Sequence, residues 1–265
     1  MGKMRLDQRI FDMGLAESRE KAKALVMAGI VYVNGEKQTK PGTAVAEDAA
    51  VEVRGEKLPF VSRGGLKLQK ALDVFSIDPS GFVCVDCGAS TGGFTDCLLQ
   101  RGAKHVYAVD VGYGQLAWSL RSDSRVTAME RTNARYLTPD MFPEPMDMAV
   151  MDMSFISLRL VLPAVRPLLT EQGQVVCLVK PQFEAGREKV GKKGVVRDPA
   201  VHREVLEDFV ASLDGMGFAL AGLDYSPVRG PEGNIEYLAW LRTRGDGIEP
   251  DCGEIVRRSH EELER

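Results

Sequence analysis

Lys180, Asp152 and Glu236 are the residues whose types and placement could do chemistry. Each is expected at or near a strand end, in Leu178-Val179-Lys180-Pro181, Met151-Asp152-Met153-Ser154-Phe155 and Asn234-Ile235-Glu236-Tyr237. Pro181 biases Lys180 toward an extended conformation, which helps fix where its amine points. An amine held among carboxylates and partly desolvated can accept or share a proton, while the opposite charges balance the site and aim the amine. That suits alkylation of a poor nucleophile such as a ribose 2′-hydroxyl, for which the remaining requirement is in-line geometry. A buried salt-bridged structure is the competing reading of the same three residues. Methylation of a base amine would call for Asn or Asp followed by Pro-Pro and an aromatic residue at the fourth strand end. Methylation of a cytosine carbon needs a thiolate, often in a Pro-Cys pair, and neither pattern occurs.

The donor side is read from Val83 to Phe94, where an apolar strand ends in Asp86 and breaks into a small-residue turn. A dinucleotide site needs G-x-G-x-x-G, and a phosphate loop needs Lys and then Ser or Thr after its last glycine. Both are absent. What stands there, Asp86-x-Gly88-Ala89-Ser90-Thr91-Gly92-Gly93-Phe94 with Asp110 closing the next strand, looks like an S-adenosylmethionine site. Asp86 and the turn from Gly88 to Phe94 are expected to face the methionine part, with free N–H groups of a helix starting near Thr91 offered to its carboxylate. Asp110 would bridge the ribose hydroxyls, Asn133 in Arg131-Thr132-Asn133-Ala134-Arg135 would lie at the adenine edge, and Asp152 would border cofactor and acceptor alike. Each acid could instead cap the helix that follows it.

Elements that place these residues follow from periodicity. Strands are expected at Phe82–Asp86, His105–Asp110, Arg125–Glu130, Met146–Asp152, Gln174–Lys180, Ala219–Tyr225 and Asn234–Leu241, with helices between most of them. This alternation predicts an α/β class chain: a Rossmann-like, mostly parallel sheet with an antiparallel last strand. It occupies 64–244. Ahead of it, 1–57 reads as a small α+β unit with a helix from Arg5, a second opened by Ser18, and strands at Ile30–Val33 and Ala49–Val53. Residues 58–63 read as a linker, the aperiodic stretch starting at Gly55-Glu56-Lys57, and 245–265 as a charged tail with a short helix near its end. The helix after the linker buries Leu68, Ala71, Leu72 and Phe75, leaving Lys67 off that stripe as a surface residue by spacing alone.

The chain has 265 residues and a net charge of −4, concentrated after residue 245, so the body before it is neutral. An acidic total argues against a nonspecific polyanion binder while leaving room for a local basic face. No apolar run approaches a membrane span and the start lacks a signal-peptide core, so a cytoplasmic protein, monomeric by default, is expected. Five scattered cysteines and three distant histidines indicate no metal site. Cys84 and Cys87 form a C-x-x-C, read as core packing ahead of redox chemistry. Arg5 with Arg9, and Arg19 with Lys23, share helix faces that could grip phosphates, or be solvated surface beside Asp7, Glu17 and Glu20.

Arg5-Leu6-Asp7, Gly14-Leu15-Ala16-x-Ser18-Arg19, Ala22-x-x-Leu25-Val26-x-x-Gly29, Val31-x-Val33-Asn34-Gly35 and Lys40-Pro41-Gly42 resemble the RNA-binding module named after small-subunit ribosomal protein S-four. The resemblance implies that Arg5, Arg9, Arg19, Lys23, Lys37 and Lys40 face structured RNA. Ser62-Arg63-Gly64-Gly65-x-Lys67-Leu68, the glycine turn, Met151 to Ser157, Val179-Lys180-Pro181-Gln182-Phe183-Glu184 and Gly233 to Tyr237 resemble the TlyA, or hemolysin A, family. Its catalytic half is similar to FtsJ-type ribose 2′-O-methyltransferases, whose Lys-Asp-Lys-Glu tetrad matches Lys67, Asp152, Lys180 and Glu236. What this implies is methylation of cytidine ribose in ribosomal RNA with S-adenosylmethionine as donor. Arg63 and the basic loop 181–198, with Lys189, Lys192 and Lys193, are expected to contact RNA, the loop closing over the site. An RNA-binding assembly factor with a non-catalytic domain is the alternative. A membrane-damaging role, suggested by the hemolysin name, lacks a spanning segment.

Overall fold

In the computed structural model, Ser18 accepts a hydrogen bond from the Lys21 N–H at 3.1 Å and starts a helix at Arg19, as its side-chain chemistry predicts. The structure describes residues 2–16, 18–54 and 58–263. Glu17 and Gly55 to Lys57, read above as an interspersed acid and the start of a linker, lie outside the described residues. The chain divides into two units, Met1–Arg63 and Gly64–Arg265.

The first unit runs β1 (Lys3–Arg5), α1 (Leu6–Asp12), α2 (Arg19–Met27), β2 (Val31–Val33), β3 (Glu36–Gln38), β4 (Ala44–Ala46) and β5 (Val51–Val53). Antiparallel strands lie in the order β3-β2-β5, and β1 pairs with β4. Leu6, Ile10, Ala22, Val26, Val31 and Val51 form its core. Asn34 and Gly35 both have positive φ, 50° and 84°, so the Asn-Gly pair closes a tight hairpin between β2 and β3. The sequence reading missed β1, β3 and β4. Each has three residues, and β3 is Glu-Lys-Gln, so backbone pairing forms it without apolar alternation.

The second unit runs α3 (Gly64–Val74), β6 (Val83–Cys87), α4 (Gly93–Gln100), β7 (His105–Val109), α5 (Trp118–Arg121), β8 (Val126–Met129), β9 (Met146–Met151), α6 (Leu162–Val165), β10 (Leu169–Val179), α7 (Pro181–Glu184), α8 (Pro199–Ser212), β11 (Ala219–Tyr225), β12 (Tyr237–Arg242) and α9 (Cys252–Leu263). The sheet order is β11-β12-β10-β9-β6-β7-β8. β12 is antiparallel to both neighbours, and the pairs among β10, β9, β6, β7 and β8 are parallel. Every residue of β6 is buried, the pattern of a central strand covered on both faces. The chain leaves β6 toward β7 and β8 and returns to β9 on the other side, so a crevice opens at the carboxyl ends of β6 and β9.

Boundaries differ from expectation where local chemistry intervenes. Helix after β9 is broken into single turns by Pro163 and Pro167, and helix after β7 shrinks to Trp118–Arg121. β12 starts at Tyr237, which puts Asn234 to Glu236 in the irregular segment ahead of it rather than on the strand. The largest departure is in 245–265, expected as a charged tail with a short helix near its end: the helix is present as α9, but it is packed against the body. Cys252 and Val256 of α9 are buried in the main core with Leu206, Phe209 and Leu220. Charged pairs such as Arg257 with Glu254 and Glu261 cover its outer face and mask the narrow apolar stripe in composition. Cys84 and Cys87 are buried strand residues, and burial pushes both thiols up, so the packing reading holds for them.

Candidate active site

β9 and β10 are neighbouring parallel strands, so their ends bring Asp152 and Lys180 side by side. Lys180 Nζ lies 2.6 Å from Asp152 Oδ1 and donates to Ser154 Oγ at 3.2 Å. From α3, Lys67 Nζ donates to Glu236 Oε2 at 2.6 Å and to Asp152 Oδ2 at 3.2 Å. Lys180 Nζ stands 4.0 Å from Glu236 Oε1, which closes the ring of two ammonium groups and two carboxylates. Three of the four are buried, and Asp152 keeps 21% of its side chain exposed, giving the cluster one open edge. Lys67, placed on the surface by spacing alone, is therefore an internal residue. Burial is the strongest influence on its ammonium and lowers its pKa, but Asp152 and Glu236 together outweigh it and hold Lys67 above the ordinary lysine value. Burial likewise pushes Asp152 up, and the two lysines bring it below the usual carboxylate range. The cluster thus holds Lys67 charged and Asp152 ionised.

On the other side of the switch point lies the glycine turn. Gly88 has φ +84°, and a Cβ there would come within 2.9 Å of the Asp152 carbonyl oxygen, so the turn and the β9 end are in direct backbone contact. Asp110 reaches back across this turn, its Oδ2 accepting from the Ser90 N–H at 2.8 Å and its Oδ1 from the Gly112 N–H at 2.7 Å. Ala89, Asp110, Gly112, Gln115, Leu116 and Glu130 line a cleft beside it.

Asp86 caps the helix that follows it, one of the two roles expected of it. Its Oδ2 caps α4 by accepting from the Thr95 N–H at 3.0 Å and the Thr95 hydroxyl at 2.7 Å. Its Oδ1 is buried and has no hydrogen-bond partner among the described residues. Burial, relieved in part by Thr95, raises the Asp86 carboxyl to about 7. α4 begins at Gly93 rather than near Thr91, and Phe94 is buried in its first turn, so only the backbone of Phe94 is left to face a ligand. Asn133 is exposed and caps the turn at Ala134–Tyr136 by accepting from the Arg135 N–H at 3.0 Å, and its neighbour Thr132 donates its N–H to the Asp110 carbonyl at 2.9 Å.

Three features escaped the sequence reading. Glu130 accepts from the Gly114 N–H at 2.7 Å and pairs with Arg121, fixing the loop over the cleft. Glu184 accepts from the Ser157 hydroxyl at 2.7 Å and the Leu158 N–H at 2.8 Å, tying the segment after β9 to the one after β10. Phe155, one residue beyond Ser154, is 91% exposed with φ +64°, its ring 5.2 Å from that of Phe183. A non-glycine residue in that conformation with an unburied ring is unusual enough to mark a site. The motif strings contained Phe155 and Glu184, and Glu130 closed an expected strand, but no spacing reported their partners.

The basic loop is anchored at its carboxyl end. The Val196 N–H donates to Asn234 Oδ1 at 3.0 Å, Asn234 Nδ2 donates to the Gly194 carbonyl at 2.9 Å, and His202 Nε2 lies 3.0 Å from the Val196 carbonyl. Lys189, Lys192, Lys193 and Arg197 surround a shallow depression there, Lys189 pairing with Glu204. In the first unit Arg5, Arg19, Lys37 and Lys40 are exposed, as is Arg63, while Lys23 is half-buried and pairs with Glu20 at 2.7 Å. Arg9 is also half-buried, its Nε without a partner among the described residues.

Among the described residues no helix is long and apolar enough to cross a membrane, and no group of three His, Cys, Asp or Glu could hold a metal. A switch-point crevice with a glycine turn on one strand and a buried Lys-Asp-Lys-Glu cluster on its neighbours defines a Rossmann-like methyltransferase domain. The chain belongs to the FtsJ-like methyltransferase family, which matches residues 60–243, and carries an S4 domain matching residues 4–51. The expectations of fold and family are borne out. The chain is 48% identical to the 16S/23S rRNA (cytidine-2'-O)-methyltransferase TlyA of Mycobacterium tuberculosis, over 91% of each chain. It is 42% identical to hemolysin A of Brachyspira hyodysenteriae, over 89% of this chain and 98% of that one. Among solved structures, a candidate hemolysin from Streptococcus thermophilus superposes with a TM-score of 0.80 at 48% identity, covering 100% of this chain and 98% of that one. A candidate S-adenosylmethionine dependent methyltransferase from Listeria monocytogenes, 14% identical with a TM-score of 0.53 over 69% of this chain and 99% of that one, shares the fold.

Proposed function

We propose that this chain methylates the ribose 2′-hydroxyl of cytidine in ribosomal RNA, with S-adenosylmethionine as donor and the first unit binding the RNA. The observation that carries the reading is the Lys67-Asp152-Lys180-Glu236 cluster at the strand ends, abutting the glycine turn through Gly88. Residues of the turn fit the cofactor: Asp86 offers its unpartnered Oδ1 to the amine, the Gly88–Phe94 backbone borders the methionine part, and Asp110 and Asn133 serve the nucleoside. When bound, the cofactor supplies an electrophilic methyl carbon on a sulfonium. Lys67 stays protonated and keeps Asp152 and Glu236 in place, so it acts as a fixed charge. Lys180, bonded to Asp152 and Ser154, is placed to orient the acceptor hydroxyl, and together with Asp152 it takes up the proton that the hydroxyl releases as its oxygen gains the methyl group. Phe155 offers an exposed ring on which the target base stacks. Arg5, Arg9, Arg19, Lys23, Lys37 and Lys40, with Arg63, Lys189, Lys192 and Lys193, contact phosphates and position the RNA.

Incubation with labelled S-adenosylmethionine and separated, unmodified ribosomal subunits should place label on a cytidine that then resists alkaline cleavage. Label on a base would overturn the reading. Cofactor binding without any transfer would favour the assembly-factor alternative.

Asp86 gives a pH test with two opposite signs. Its folded-state pKa, about 7, exceeds the ordinary 3.8, so the free protein gains stability from this group as pH falls from about 7 toward 4. Cofactor affinity should move the other way, weakening below about pH 7 as the charge facing the amine is lost. Asp86→Asn should flatten both profiles in calorimetric titration and thermal melts. A wild-type affinity independent of pH from 6 to 8 would remove Asp86 from the cofactor site.

A further inference from the structure

Asp7 is fully buried at the start of α1, yet it holds two surface arginines from different elements. Arg5, the last residue of β1, donates from Nε to Asp7 Oδ1 and from Nη2 to Oδ2, both at 3.0 Å, a two-pronged pair. Arg19, the first residue of α2, brings its Nη2 to 3.5 Å from the same Oδ2. The Gln8 N–H completes the set at 2.9 Å from Oδ1. Burial pushes the Asp7 carboxyl up, but Arg5, this N–H and Arg19 together hold it below the usual range. Both arginine side chains remain about half exposed, at 55% and 46%. Arg5 is thus held to the carboxylate by two hydrogen bonds and Arg19 by an ion pair, while each guanidinium, with five donors, has donors left over for a ligand.

The turn beside this hub is also built. Asp7 N–H donates to the Pro41 carbonyl at 3.0 Å and Leu6 N–H to that of Thr43 at 2.9 Å, while the Lys40 carbonyl accepts from the Thr43 hydroxyl at 2.8 Å. Gly42 lies between them, where a Cβ would come 3.2 Å from Arg5 Nη1. A side chain there would crowd the guanidinium edge that Asp7 leaves open.

We propose that Asp7 is a positioning residue, which presets Arg5 and Arg19 as a paired clamp for backbone phosphates of structured RNA, with Gly42 keeping the approach clear. This rests on the reading that the first unit binds RNA. Holding both side chains before binding removes the ordering penalty that long flexible cations ordinarily carry. By charge alone the effect of Asp7 has the opposite sign: a carboxylate near a phosphate chain repels it, so neutralising Asp7 would tighten binding.

The test measures affinity of the full chain for unmodified small- and large-subunit ribosomal RNA transcripts across a salt series. Asp7→Asn, which keeps the size of the side chain and removes its charge, should weaken binding by roughly three- to tenfold. The slope of log affinity against log salt should fall by roughly 0.7 to 1.8, the loss of one to two phosphate contacts. In an Arg5→Ala/Arg19→Ala background the same substitution should cause no further loss. Tighter or unchanged binding by Asp7→Asn, while the arginine pair still matters, overturns the proposal. An equal loss in both backgrounds also overturns it, because that is the signature of a damaged fold. If the arginine double variant binds like the wild type, the RNA-facing reading of this surface fails first, and the positioning role falls with it.

Discussion

Lys180→Ala should lower methyl transfer by about 10²- to 10⁴-fold while leaving cofactor affinity near that of the wild type. The amine stands 2.6 Å from Asp152, the member of the cluster that keeps an exposed flank, and 3.2 Å from the exposed Ser154. Its loss does not strip the carboxylates of partners, because Lys67 still donates to Glu236 at 2.6 Å and to Asp152 at 3.2 Å. The variant should therefore fold, which separates a chemical defect from a structural one. Single-turnover assays with saturating RNA, paired with calorimetric titration of the cofactor, read the two quantities independently. Transfer within threefold of the wild type would mean that Lys180 is one half of a salt bridge and nothing more.

Gly88→Ala should damage both halves of the site at once. With φ at +84° an alanine carries conformational strain of roughly 1 kcal/mol, and overpacking against a neighbour adds about 1 to 3 kcal/mol. The neighbour is the Asp152 carbonyl oxygen, 2.9 Å from the new Cβ, with Met153 Sδ at 3.2 Å, and backbone cannot swing aside as a side-chain tip can. The expected result is a lowered melting temperature, cofactor affinity reduced at least tenfold, and transfer reduced further, because Asp152 is pushed off the geometry that holds both lysines. Gly81→Ala supplies the control. Gly81 also has positive φ, +76°, but nothing lies within 4 Å of a Cβ there, so it should carry the strain and leave catalysis alone. Equal catalytic defects in the two variants would show that strain, and not the contact with Asp152, governs the site.

Much of the site was legible because strand ends in a parallel sheet are positional statements. Asp86, Asp110, Asp152 and Lys180 each close an apolar run, and runs of that kind place their last residues along one crevice. Lys67 was legible only through family resemblance, since its helical phase puts it off the apolar stripe and its burial depends on acids 85 and 169 positions away. Glu236 was found but put on a strand, because Ile235 continues the apolar alternation of β12 and so moves the expected start to Asn234, three residues ahead of Tyr237. β3 is too short and too polar to show a period, and α9 hides a packed stripe under paired charges. Glu130 and Glu184 act through backbone N–H groups on distant loops, contacts that no residue type announces.

Lys67 lies three residues after Gly64, inside the first turn of the helix that opens the second unit. The division of the chain into two units therefore falls three residues ahead of a member of the cluster, and this limits how far the chain can be treated as interchangeable cassettes. A chimaera joined at Arg63 and Gly64 would alter the helical turn that carries a buried ammonium, and its lost turnover would be mistaken for lost RNA recognition. Exchanges of the RNA-binding module should be joined upstream, before Leu58, with the segment from Leu58 to Lys67 kept from the same parent as the tetrad.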